Sequence, residues 1–230
     1  MRKKYIRKQK QEYDRKVLAT LPIFYPKEIL TAMNILSVEL WGPPGIPKSA
    51  DVGRIQTYVC PIVRNAIAIL GTDSLDDVDA LFFPHTCDSI QGLATVINDF
   101  GSWDKPVFTF IHPKGEGRKS SRAYLLKEFE SFAQKMEAFT GNTLDLEKLG
   151  WAYTLHRDID NLKLEILRKR ACLDMNDFDL FSMIRRGEYL WPEEHLAELK
   201  QAKEKLADTP VQSGIPVMIS GIIPEPMNIY

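Results

Sequence analysis

The sequence predicts an α/β fold: a parallel β-sheet with covering helices, followed by a helical extension. Two observations carry this expectation. Short apolar runs at 36–41, 79–83 and 106–111 alternate with longer segments of helical pattern, the order that builds parallel sheets. Each run also ends in a loop rich in Gly, Pro, His or Cys, as strands do where they hand over to a helix.

Taken in order, residues 1–18 place Tyr5, Ile6, Gln9 and Tyr13 on a rough helical period among many charges, which fits a surface arm or a weakly packed helix. Pro26-Lys27-Glu28 opens a helix, since Pro and an acid suit a first turn. Leu36–Trp41 reads as a strand stopped by Gly42-Pro43-Pro44-Gly45. Pro61 begins the next helix, which places Cys60 beside its N-cap. Asp79–Phe83 is a strand that runs through Pro84-His85-Thr86 to Cys87, and a helix follows from Ile90 to about Phe100. Pro106–Ile111 is another strand. The loop from Gly115 to Ser121 leads to a helix from about Ser121 to Thr140, which Gly141-Asn142 caps. Leu144 to about Cys172 forms a second long amphipathic stretch, about 40 Å if continuous. Shorter helices follow near 176–187 and 192–207, and Ile215–Gly221 reads as a last strand. The expected division is a basic helical arm at 1–21, an α/β domain at 22–140, a helical extension at 141–210 and the start of a second α/β domain at 211–230.

Composition narrows the functional classes. The chain has 230 residues, 44% of them apolar, and 30 basic against 31 acidic side chains. That is enough to bury a core, and it excludes a disordered or disulfide-stapled chain. A net charge of -1 gives no field favouring nucleic acid or an anionic bilayer. No apolar run approaches the roughly 20 residues of a spanning helix. The first sixteen residues carry eight Lys and Arg with no hydrophobic stretch behind them, unlike a secretory leader. Three cysteines at wide spacing fit a reducing, cytoplasmic setting.

Cys60 and Cys87 each open a helix after an extended segment, where unpaired N–H groups and the positive end of the helix dipole favour a thiolate. In a parallel sheet both loops face the same edge. Buried inert thiols and metal ligands both remain open for this pair, because the compact CxxC spacing is missing. Cys172, at the end of a charged helix, reads as a core thiol. His85 and His112 each follow an apolar strand and reach the same edge, either as site residues or as hydrogen-bonded structural histidines. His156 and His195 are expected on helix surfaces. Glu39, between Val38 and Leu40, faces either solvent or a cleft. The Gly115–Ser121 loop lacks both Walker A and GxGxxG spacing and reads as a surface loop.

Together the segments Tyr25-Pro26-Lys27-Glu28-Ile29, Leu40-Trp41-Gly42, Cys60-Pro61 with Val63-Arg64, Phe83-Pro84-His85-Thr86-Cys87-Asp88, and Ile219-Ser220-Gly221 resemble the 2-hydroxyacyl-CoA dehydratase family, which also includes subunits of ATP-dependent benzoyl-CoA reductases. The resemblance spans about residues 22–222. It implies paired Rossmann-like domains enclosing a [4Fe-4S] cluster held by three cysteines, with one iron open. It also implies an acyl-CoA substrate, a homologous second subunit in a heterodimer, and an ATP-dependent activator protein with its own cluster. That activator delivers one electron, giving a ketyl radical anion from which the 2-hydroxyl group leaves. Cys60 and Cys87 match the first two cluster ligands. Glu39 and His85 are the expected catalytic candidates, and Trp41 is expected to bind substrate. Members of the family run beyond this length, so the expectation is an N-terminal part whose third ligand lies outside the chain. A benzoyl-CoA reductase-type subunit, a non-catalytic or electron-transfer partner subunit, and a metal-free α/β binding domain are the alternatives.

Overall fold

The computed structural model describes residues 2–22, 24–41, 59–70, 72–100 and 103–215. They divide into two units, 1–150 and 151–230. The first unit is an α/β layer built on a four-stranded parallel sheet in the order β2-β1-β3-β4. Its strands are β1 (Lys16–Thr20), β2 (Ile35–Glu39), β3 (Ala80–His85) and β4 (Val107–Ile111).

The helix expected in the basic arm is present as α1 (Arg2–Tyr13), with Ile6 and Gln9 buried. From Lys16 the chain departs from that reading and becomes β1, which pairs with β2 on one side and β3 on the other. Val17, Leu18 and Ala19 are fully buried. A run this short carries no period that separates a buried strand from the end of a helix, so only the tertiary pairing identifies it. Asp14 at φ 50 and Asn34 at φ 58 make the left-handed turns into β1 and β2, a conformation that short polar side chains tolerate. The turns are joined side by side: the Asn34 amide donates to the Tyr13 carbonyl at 3.1 Å, and Arg15 donates to Asn34 at 3.1 Å.

On one face of the sheet, Leu18, Ala80, Phe82 and Phe110 meet Phe132 and Met136 of α6 (Lys119–Thr140), together with Ile29, Leu30 and Met33 at α2 (Lys27–Ala32). Phe82 stacks on Phe132 with ring centroids 4.7 Å apart. Strand alternation turns Val17, Ala19, Leu81 and Phe83 to the other face. The helices α3 (Pro61–Leu70), α4 (Asp88–Gln91) and α5 (Leu93–Phe100) belong to the same unit, with α4 against β3 and α5 against β4, and the single helix expected over 90–100 is interrupted at Gly92. Gly141 closes α6 in a left-handed cap at φ 77, as the sequence suggests.

In the second unit, Leu155, Ile159, Leu162 and Ile166 form one stripe of α7 (Leu146–Arg168). They pack with Leu173, with Leu180 of α8 (Asp177–Arg185) and with Leu199 and Ala202 of α9 (Pro192–Glu204). His195, expected on a helix surface, is buried at 3% exposure. A Cβ at Gly187 would overlap its imidazole. The loop breaker at 42–45 and most of the expected last strand at 215–221 lie outside the described residues; Ile215 itself is exposed.

Asp79 ties the start of the sheet together. Its carboxylate accepts from Lys10 Nζ at 2.7 Å and from the buried Val17 amide at 2.8 Å. Asp79→Ala leaves that amide unsatisfied and should lower stability by about 1–3 kcal/mol, read as a shift in urea midpoint. Gly187→Ala should destabilise the second unit by about 1–3 kcal/mol through overpacking against His195, while Gly117→Ala, with open space at its Cβ, serves as the neutral control.

Candidate functional site

All four parallel strands end at one edge of the sheet, and the strand order reverses between β1 and β3. Sheets of this kind hold ligands in the crevice outside that edge, at the point of reversal. The described residues that flank it are 21, 22 and 24–26 after β1 and 86–87 after β3.

Cys87 is the N-cap of α4, in extended conformation, and its thiol is exposed. Its carbonyl accepts from the Ile90 amide at 3.2 Å. Cys60 directly precedes Pro61, the first residue of α3, and its carbonyl accepts from Arg64 at 3.2 Å. Cys60 is partly buried, and both thiols are free of disulfides. Each thiol thus stands at the start of a helix, and thiolates are ligands of the type that iron-sulfur clusters use. Among the described residues no three His, Cys, Asp or Glu side chains converge as a metal-binding group. Cys172 sits in a short 3-10 turn of the second unit, partly buried.

His85 is the last residue of β3. Its Nε2 is buried and has no hydrogen-bond partner among the described residues. Burial lowers the pKa of its ring, against a smaller opposing effect of the Glu128 carboxylate. A neutral imidazole with an open nitrogen at this edge is ready to meet a ligand polar group.

Glu39 ends β2 and is buried at 6% exposure, so it does not face solvent. Its Oε1 accepts from Tyr25 at 3.0 Å and from Lys27 at 2.8 Å, and its Oε2 accepts from the Trp41 indole at 3.1 Å. Glu39 and Trp41, two sequence candidates, are thus brought together, with Tyr25 and Lys27 as partners that a linear reading does not pair with them. Burial pushes the Tyr25 hydroxyl up, and Glu39 adds to the shift against Lys27. For Lys27 burial acts downward, but the neighbouring Tyr25 and Glu39 outweigh it and hold the ammonium above the usual lysine range.

His112, after β4, contacts the Phe24 carbonyl through Nε2 and meets the Phe24 ring edge-on at 6.2 Å between centroids. Phe24 has φ 52 and is 73% exposed. A left-handed backbone costs a bulky residue about 1–2 kcal/mol. Sequence reasoning singled out His112 but passed over Phe24, whose only linear signal is its place before Tyr25-Pro26.

Residues 22–230 match the family described as 2-hydroxyglutaryl-CoA dehydratase, D-component. The chain belongs to this family of dehydratase subunits. It is 22% identical over 233 residues to lactoyl-CoA dehydratase subunit beta of Anaerotignum propionicum, covering 99% of this chain and 61% of that protein. A benzoyl-CoA reductase subunit of Thauera aromatica is 26% identical over 194 residues, covering 81% of this chain and 49% of that one. (R)-2-hydroxyglutaryl-CoA dehydratase, subunit beta, of Acidaminococcus fermentans is 20% identical over 218 residues, covering 91% and 56%. The chain therefore spans about half to three fifths of the length of these curated relatives. No helix among the described residues is long and apolar enough to cross a membrane.

The Tyr25–Lys27–Glu39 cluster makes stability depend on alkaline pH. Lys27 keeps its proton to higher pH in the folded chain than in the unfolded one, so its contribution is complete below the unfolded value and is lost as pH rises through the folded one. Tyr25 also holds its proton longer when folded, which gives the same sign. Denaturant midpoints should therefore be level in this respect to about pH 10 and fall above it, and the fall should flatten in the Tyr25→Phe/Lys27→Met double variant.

Proposed function

We propose that this chain is the iron-sulfur-holding part of a 2-hydroxyacyl-CoA dehydratase-type enzyme, a lyase, with Cys60 and Cys87 as two of the cluster's thiolate ligands. The supporting observation is that two free cysteines stand at the starts of helices, Cys87 at the carboxyl end of β3, in a chain of this family. Two thiolates leave coordination positions on the cluster for further ligands. When bound, a [4Fe-4S] cluster supplies low-potential one-electron chemistry and an open iron position.

The chain's own residues divide the remaining work. His85 offers Nε2 as a neutral hydrogen-bonding atom toward the hydroxyl or thioester oxygen of the acyl-CoA. Glu39, with both oxygens engaged, acts as a charged anchor that orients the Trp41 indole at the substrate side of β2. The working assembly contains a homologous second subunit, in keeping with relatives that are named as subunits, and an ATP-dependent activator protein. A second reading, an aromatic acyl-CoA reductase subunit, is favoured by the 26% identity to the benzoyl-CoA reductase subunit. Turnover separates the two: release of water from a 2-hydroxyacyl-CoA supports the first, and reduction of an aromatic ring supports the second.

Cys60→Ala and Cys87→Ala, each made in the anaerobically assembled complex, should abolish the reducible cluster signal and the turnover, whereas Cys172→Ala should retain both. Full iron content and activity in the Cys87 variant would contradict the proposal.

A further inference from the structure

The geometry points to Phe24 as a specificity-determining contact for the acyl group, held in place by His112; this rests on the acyl-CoA reading above. In the strand order β2-β1-β3-β4, β1 and β4 are not neighbours. The contact between His112 Nε2 and the Phe24 carbonyl therefore joins the carboxyl ends of β1 and β4 across the end of β3, where His85 stands and the chain turns to Cys87. A single exposed apolar side chain is ordinary on a protein surface. Phe24 differs in three respects. It stands at the point of strand reversal, where a parallel sheet receives ligands. Its backbone is held in the left-handed region at φ 52, a conformation that persists only when surrounding contacts impose it. The imposing contact is an imidazole that also packs edge-on against the buried Phe110 at 4.8 Å, so the clasp is anchored in the core.

The result is a large aromatic ring, 73% exposed, held by His112 at the carboxyl end of the sheet. A ring of this kind suits an apolar or aromatic acyl chain by stacking and area burial, and it offers little to the charged phosphates of the CoA handle. Phe24 therefore reads the acyl group rather than the CoA handle.

The test uses the anaerobically assembled complex and isothermal titration with phenyllactyl-CoA, lactoyl-CoA and free CoA. Phe24→Ala should weaken phenyllactyl-CoA about five- to tenfold, weaken lactoyl-CoA less and leave free CoA unchanged. Phe24→Tyr should restore the wild-type order, and His112→Ala should move affinities in the same direction by a smaller factor. An unchanged ratio between the two acyl-CoAs in Phe24→Ala would overturn the inference. So would an equal loss for all three ligands, or failure of the variant to assemble with its second subunit, which would make Phe24 a protein contact. If the wild-type complex binds free CoA but neither acyl-CoA, the acyl-CoA reading fails, and this inference fails with it. Wild-type binding with an unresponsive Phe24 variant refutes only the inference.

Discussion

The central constraint in this protein is the double pairing of β1, in which all five residues Lys16–Thr20 are in register with β2 and Leu18–Thr20 are in register with β3 as well. With β1 in the middle, the ends of β2, β1, β3 and β4 come out along one edge. Glu39, Phe24, His85 and His112 are thereby set near a common rim, as is the helix start that carries Cys87. The strand is secured from below by Asp79, which neutralises Lys10 and satisfies the Val17 amide, and from its faces by complete burial of Val17, Leu18 and Ala19. Hydrophobic burial supplies the stabilisation, and the parallel pairing converts it into the placement of chemistry-bearing loops.

That rim holds two kinds of polar residue. Glu39 is saturated: two donors meet one oxygen and an indole meets the other, so its charge is spent on structure and on holding Trp41. His85 is the opposite case, a ring kept neutral by burial with one nitrogen unmatched among the described residues. An unmatched buried polar atom costs stability, and under the proposed function the acyl-CoA would supply its partner. The same logic applies to Phe24, whose strained backbone is maintained by a neighbour two strands away.

Much of this was legible in the sequence, for identifiable reasons. Pro61 and Pro192 mark helix starts, Gly141 marks a helix end, and the β3 and β4 runs are apolar enough to read as strands. The placement of Cys87 at a strand-to-helix turn follows from those signals alone. β1 was not legible, because its apolar run is short and follows a helix rich in Lys and Arg with no strong break. His195 looked like a surface residue because α9 is highly charged; its burial against Gly187 depends on a turn far from any periodic pattern. The Glu39 cluster was half visible. An acid inside an apolar strand is a clear signal, but its partners Tyr25 and Lys27 lie on an earlier segment that only the fold brings near.

The central claim is that Cys60 and Cys87, and not Cys172, bind iron at the carboxyl edge of this sheet. Alkylation mapping by mass spectrometry on the complex purified without oxygen tests it directly. The account predicts that Cys60 and Cys87 are protected from iodoacetamide while iron is bound and become modified together once chelation removes it, with Cys172 unaffected by the iron. Equal labelling of Cys60 and Cys87 with and without iron would contradict it.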